Sequence, residues 1–291
     1  MNLYVTGNDI YASILLLRGS PPAKTLVLVE GPSDSACLAS HIDNSLTETI
    51  SCFGARNLDA AMALVDSFMV PGVIAIRDSD WFGILDAPSN SPNVVLTDLY
   101  DLDASIMLSS EIGNRLCRVF GEQSAIDRHC SKLNESSPIK IAILMAAEVG
   151  LLRLVTARHN LGLALRDFPI HEVVDSSSGL ISRERMVALA IQRSSEATCT
   201  IEEVIGYMTA ETVEANVRVC SGHDLAAALS VLIHRDWGGS KVVRSLILQA
   251  ARSALSCAEL WGLGFYSLVS DWERSTGWAV WSCRPPSVSV A

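Results

Sequence analysis

The chain has 291 residues, of which 49% are hydrophobic and 19% charged, and its mean hydropathy is +0.31. That is enough for one large domain or two small ones around a substantial core, with apolar surface either interior or covered by a partner. The net charge of −10 excludes a uniformly cationic nucleic-acid binder, since phosphate contacts need cations.

The acidity is uneven. Residues 1–150 hold 9 basic and 18 acidic side chains, a balance of −9, whereas residues 151–291 hold 13 and 14, a balance of −1. Metal ions can neutralise clustered carboxylates in the acidic half, and the other half can present basic faces. The most apolar stretch, Ile139 to Val155, carries Lys140, Glu148 and Arg153 and falls short of the ~20 apolar residues of a membrane span, so none is expected. MNLYVTGNDI lacks a basic n-region, so a signal peptide is not expected either. The eight cysteines (37, 52, 117, 130, 199, 220, 257 and 283) form no C-x-x-C pair. That spacing predicts neither a zinc site nor a disulfide framework, and a reducing cytoplasm fits it.

In chain order, residues 8–18 read as a helix ending before GSPP. Thr25 to Val29 is a short buried strand. Ser33 to Ile42 has helical spacing, with Ser33 and Asp34 available as caps. Thr49 to Phe53 reads as a second strand, and Asn57 to Met69 as a helix capped by Asn57. After the Pro-Gly break, Val73 to Arg77 is the third strand, and Val94 to Thr97 the fourth. Short strands alternating with helices predict α/β architecture, a parallel sheet with helices on both faces. Beyond Asp101 the pattern turns helical, over residues 103–120, 138–158, 182–194, 211–218, 223–234 and 240–258. LGLALRDF alternates like a strand, and CRPPSVSVA reads as a loose tail. The expected division is a helix and linker over 1–24, an α/β domain over 25–120, a mostly helical domain over 121–280 and a tail over 281–291.

The stretch LVLVEGPSDSACL drives a buried strand into Glu30 and then into Gly31-Pro32-Ser33-Asp34. In an open parallel sheet, ligands bind outside the carboxyl ends of the strands. Glu30 ends the first strand, and Asp78 and Asp80 end the third. If those strands are neighbours, three carboxylates converge. Asp78 and Asp80 are two apart, which in extended backbone puts them on one side. Such carboxylates repel unless a cation lies between them, and oxygen clusters suit Mg²⁺ or Mn²⁺. The plainer reading is an ordinary βα turn capped by Ser33 or Asp34, followed by a D-x-D surface loop.

Strand-E-G-x-S-D followed by strand-D-x-D resembles the Toprim fold of topoisomerases, primases and OLD-type nucleases. IRDSDWF, VVLTDLYDLDASIMLSSEI, EVGLLRLV and CSGHDLAAALSVLI extend the resemblance to the Toprim-like family of OLD/AriB-type nucleases, which includes the effector of the PARIS anti-phage system. It runs loosely over residues 25–275. The family often has a basic residue after the E-G pair, where this chain has Pro32. The resemblance implies a cytoplasmic Mg²⁺- or Mn²⁺-dependent nuclease cleaving RNA, tRNA included, or DNA. It also implies a toxic effector role in antiviral defence under an ABC-like ATPase partner, and homo-oligomerisation, as a dimer. By that analogy Glu30, Asp78 and Asp80 bind one or two ions, with Glu30 alternatively shuttling a proton, and Gly31, Asp34 and Asp98 support them. Two rivals stand beside it: a catalytically idle module that binds an ATPase or phage protein, and an enzyme acting on free nucleotides.

Other candidates have stronger structural readings. Asp101 and Asp103 suit the first turn of the helix that follows, and Asp224 the first turn after Ser221-Gly222-His223. Asp98 fits either the acidic edge or a supporting role. Arg77 stands beside Asp78 to balance charge. The arginines at 153, 158, 166, 183, 185, 193, 235, 244 and 252, with Lys241, can position phosphates, but ordinary solvated helix faces account for them as well. Tryptophans 237, 261, 272, 278 and 281 are expected to pack in the core or at an interface rather than stack bases.

Overall fold

The computed structural model describes residues 4–85, 91–108, 111–175, 177–211 and 216–286. The chain divides into two compact units. One comprises residues 1–79, 88–102 and 255–291, and the other residues 80–87 and 103–254.

The first unit is built on a four-stranded, all-parallel sheet in the order β2-β1-β3-β4. Its strands are β1 (Thr25–Val29), β2 (Thr47–Ser51), β3 (Val73–Arg77) and β4 (Val94–Leu96). Every residue of β1 and β3 is buried, because both faces of a parallel sheet are covered, and the four consecutive apolar residues LVLV and VIAI within them follow from that. β2 is partly exposed and lies at the edge. Helix α1 (Gly7–Arg18) starts in a capping box between Thr6 and Asp9. It packs with α3 (Ala55–Ser67), and α2 (Pro32–Leu38) follows β1. Ile10 and Ile14 of α1 and Leu58, Met62 and Val65 of α3 cover Leu26, Leu28, Val73 and Ala75. Each such large side chain, fully buried, contributes roughly 1.5–3 kcal/mol.

Asn57, expected as the cap of α3, sits inside that helix and donates to the carbonyls of Val5 and Cys52 at 3.1 and 3.0 Å. Gly72, before β3, has φ +69°, and a Cβ there would stand 2.8 Å from the Trp278 ring. Only glycine satisfies both the left-handed backbone and that contact. Arg18 covers the same indole at 4.2 Å.

Between the sheet strands and the return of the chain come the helices of the second unit. They are α4 (Leu102–Leu108), α5 (Ile112–Phe120), α6 (Gln123–Leu133), α7 (Pro138–His159), α8 (Ile170–Val173), α9 (Arg183–Gln192), α10 (Ile201–Ala210), α11 (Gly222–Arg235) and α12 (Arg244–Ala254). α4 straddles the boundary at its first residue. α7 is buried along most of its length and packs against α11. Among the described residues no helix is long and apolar enough to cross a membrane.

Several helical expectations are corrected. The single helix expected over 103–120 is two, α4 and α5. α10 occupies 201–210, opened by a Thr200–Glu203 capping box whose signature was there to be read. Of the helix expected over 211–218, residues 212–215 lie outside the described residues, and Val217–Val219 forms a 3₁₀ turn. In LGLALRDF, Leu161, Leu163 and Leu165 are buried while Gly162, Ala164 and Arg166 are exposed. The alternation is real, but no strand among the described residues pairs with the segment.

The chain then returns to the first unit through α13 (Cys257–Trp261) and α14 (Gly264–Thr276). The expected boundaries at 120 and 280 therefore give way to one near 102 and a second near 255. The start of the expected tail is buried structure. Trp281 is 1% exposed and bridges Ile42 in antiparallel fashion, and the amide of Asp43 donates to the Val280 carbonyl at 3.0 Å. Glu273 accepts from the amide of Trp281 at 3.0 Å and pairs with Arg284 at 2.6 Å. Trp237, Trp272 and Trp281 are buried in packing roles, and Trp272 donates to Asn93 at 2.9 Å.

Candidate functional site

β1 and β3 are neighbours, with Val29 level with Ile76. Glu30 and Asp78 therefore leave the sheet side by side at its carboxyl edge, where open α/β sheets place their ligands. The contact is direct: the amide of Asp78 donates to Glu30 Oε1 at 3.1 Å. Asp78 Oδ1 in turn accepts from the amide of Leu102 at 3.0 Å, an otherwise unpaired donor in the first turn of α4. Both acids are half-buried.

The turn after β1 explains the sequence EGPSD. Gly31 is the N-cap of α2, and Pro32 sits at the first helical position, where its missing N–H costs nothing. Asp34 reaches back to accept from the amide of Gly31 at 2.8 Å. Gly31 and Asp34 thus fix the helix start that follows Glu30. Pro32 thus has a local structural reason to follow Gly31.

Arg77 is buried and reaches Asp59 of α3 in a two-pronged ion pair, Nε–Oδ1 at 2.7 Å and Nη2–Oδ2 at 3.1 Å. Its Nη1 donates to the main-chain carbonyl of Asp78 at 2.7 Å. The arginine thereby clamps the peptide that carries Asp78. Thr97, which the sequence reading passed over, receives the amide of Ser79 on Oγ1 at 3.0 Å and ties this loop to the end of β4. Burial first, and then the negative charge of Glu30, push the Cys52 thiol up to about 12. It stays protonated beside the acidic edge and does not serve as a nucleophile.

Asp80 departs from the expectation. Its φ of +41° is left-handed, so the alternation that would turn Asp78 and Asp80 to one side does not apply. It also groups with the second unit. Glu30 and Asp78 are in direct contact.

Asp98 has a structural occupation. Its Oδ2 accepts from the amide of Gly264 at 2.6 Å and its Oδ1 from that of Phe265 at 2.8 Å, so it caps α14 from across the unit. Asp103 lies in the first turn of α4, as expected, and is buried there in a two-pronged pair with Arg252, at 2.7 and 2.6 Å. Asp224, 2% exposed, pairs in the same way with Arg153 at 2.8 and 2.9 Å, while His223 is exposed. Arg183 joins Glu148 at 2.7 Å, Arg244 joins Asp167 at 2.6 Å, and Arg158 pairs with Glu211. Much of the arginine content of the helical unit is thus engaged with its own carboxylates.

Among the described residues, a set of three His, Cys, Asp or Glu donors within 4.8 Å of one another does exist, but it is not the acidic one. It consists of His41, Cys257 and Cys283. Cys257 and Cys283 form a disulfide, which corrects the expectation from spacing alone and removes the cysteine argument for a reducing compartment. His41 is buried, and that burial holds its imidazole below the usual histidine range, partly offset by the Leu255 carbonyl.

A scan against protein-family models and a search of curated proteins find no match for this chain.

Proposed function

We propose that this chain is a Toprim-like, divalent-metal-dependent phosphodiesterase that cleaves RNA or DNA. The observation that carries the reading is the contact between Glu30 and Asp78 at the carboxyl ends of adjacent parallel strands. Two half-buried carboxylates at a strand-end edge are hard oxygen donors of the kind Mg²⁺ and Mn²⁺ take. Glu30 and Asp78 would hold the ion. When bound, such an ion polarises a phosphoryl oxygen and activates water.

The residues of the chain do the positioning. Arg77 and Thr97 set the β3 loop, and the Asp78 amide orients Glu30. Gly31 and Asp34 hold the turn behind it. In this reading the protein is a cytoplasmic, dimeric effector of anti-phage defence, kept in check by an ABC-like ATPase, because a free nuclease endangers its host.

The engaged arginines of the helical unit favour a second reading, an idle Toprim-like module that binds a partner ATPase or phage protein. One assay separates them. Purified chain, alone and with any ATPase that co-purifies, is incubated with tRNA and with plasmid in Mn²⁺ or Mg²⁺. The nuclease reading expects cleavage that chelator abolishes and that Glu30→Gln and Asp78→Asn remove. Intact polymers in every arm, with the ATPase still bound, establish the idle module. Turnover of free nucleotides alone shifts the substrate class.

A further inference from the structure

The second donor set lies wholly within the first unit, apart from the acidic edge in both residues and chemistry. His41 follows α2, Cys257 opens α13, and Cys283 lies just beyond Trp281. His41 Nδ1 stands 3.3 Å from Cys283 Sγ. On a tetrahedral zinc ion, with Zn–S of about 2.3 Å and Zn–N of about 2.0–2.1 Å, neighbouring nitrogen and sulfur donors lie roughly 3.6 Å apart. The observed spacing is within a few tenths of an ångström of that edge.

The donors are also held in place. The His41 carbonyl accepts from the amides of Ser282 at 2.9 Å and Cys283 at 3.4 Å, and the Cys283 carbonyl accepts from the Tyr266 hydroxyl at 2.8 Å. His41 and Cys283 are each 4% exposed, and the Leu255 carbonyl acts on the imidazole without any group among the described residues meeting His41 Nε2 in full hydrogen-bond geometry. A nine-tenths-buried imidazole with one nitrogen facing sulfur is already turned as a ligand of such an ion would be.

We infer that His41, Cys257 and Cys283 form a zinc site in the reduced chain, of which the Cys257–Cys283 disulfide is the metal-free form. Two thiolates and an imidazole are soft-to-borderline donors that select Zn²⁺ over Mg²⁺ or Mn²⁺. Cys257, the one partly exposed member, gives the ion its route in, and water completes the coordination. The chemistry balances. A dithiol delivers two electrons and two protons to the disulfide and leaves as its own disulfide. Zn²⁺ then displaces the two thiol protons.

The test uses the full chain, reduced with a phosphine and freed of excess reductant without air. Titration with Zn²⁺, and with Co²⁺ as a spectroscopic probe, is expected to reach one ion per chain. A near-ultraviolet thiolate-to-cobalt band should be absent from the oxidised chain and from Cys257→Ser and Cys283→Ser. His41→Asn removes a ligand and is expected to weaken binding by at least the about 10–100-fold that loss of a ligand's outer partner costs. Zinc should raise the Tm of the reduced wild type and leave that of Cys283→Ser unmoved, which guards against a folding artefact. Glu30→Gln and Asp78→Asn should bind zinc normally, so failure here is distinct from failure of the nuclease reading. Reduced wild type that takes up no stoichiometric zinc, or a cobalt band that survives Cys283→Ser, overturns the inference.

Discussion

The amide of Asp78 donates to Glu30 Oε1 across 3.1 Å, so the residue after β3 is tied to the residue after β1. One carboxylate thus serves two ends. It fixes the mouth of the sheet and, in the proposed reaction, holds the ion.

Those roles separate by substitution. Glu30→Ala removes the acceptor and should cost about 1–2 kcal/mol of stability. Glu30→Gln keeps an acceptor oxygen and should cost less than about 1 kcal/mol. Both should lower metal-dependent cleavage by about 10²-fold or more, the scale of loss for a group acting on developing charge. Urea unfolding and initial cleavage rates decide it, and a Glu30→Gln protein that still cuts counts against the assignment.

Asp98 should behave in the opposite way. It caps α14 through two main-chain amides, so Asp98→Ala should cost about 1–2 kcal/mol. Asp98→Asn, with one oxygen left, should lose about half of that. Cleavage per folded molecule should stay at the wild-type rate. A rate collapse in a fully folded Asp98→Ala protein would return Asp98 to the acidic site.

In the run Ser221-Gly222-His223-Asp224, the two polar neighbours should differ sharply. Asp224→Ala leaves Arg153 without its buried partner and should cost about 3–5 kcal/mol. The double variant Arg153→Met, Asp224→Leu should recover most of it. His223→Ala, at an exposed position, should stay within about 0.5 kcal/mol of wild type. Denaturant midpoints of the four proteins test the set.

His129 gives a pH signature. It is buried and accepts from Trp237 Nε1 on Nδ1 at 3.1 Å, a bond that requires the unprotonated nitrogen. Burial holds its pKa below the ordinary 6.5, aided by Lys132 and opposed by Asp236. Above about pH 6.5 neither the folded nor the unfolded form is charged there, and this stability is complete. As pH falls, the unfolded chain takes the proton first, so stability drops from that point until the folded pKa is reached. The urea midpoint should therefore drop as the pH falls below the ordinary 6.5, and His129→Gln should flatten that drop. An unchanged slope in the variant would place the acid sensitivity elsewhere.

The parallel sheet and the Glu30–Asp78 edge were legible because their signals are local. A strand buried on both faces is apolar over most of its length, so LVLV in β1 and VIAI in β3 announce themselves, and an acid close after such a run stands at the ligand-binding edge. Asp80 misled because parity along an extended strand says nothing once a residue adopts a positive φ. The capping of α14 by Asp98 spans 166 positions, and the meeting of His41 with Cys283 spans 242. No periodicity or spacing rule reaches that far, because those neighbours are created by the return of the chain. The capping box of α10, by contrast, was available locally and went unread.

That return has a consequence for biosynthesis. The α/β unit needs residues 255–286 to supply the cap partner of Asp98, the indole over Gly72 and the segment paired with Ile42. These emerge from the ribosome only after the whole helical unit, residues 103–254, has been made. Domains generally fold as units in the order they are synthesised, yet here the first half must wait for the last. A copy interrupted before α14 would lack the amides that Asp98 caps and the segment paired with Ile42. Completion of the α/β unit is therefore tied to completion of the chain.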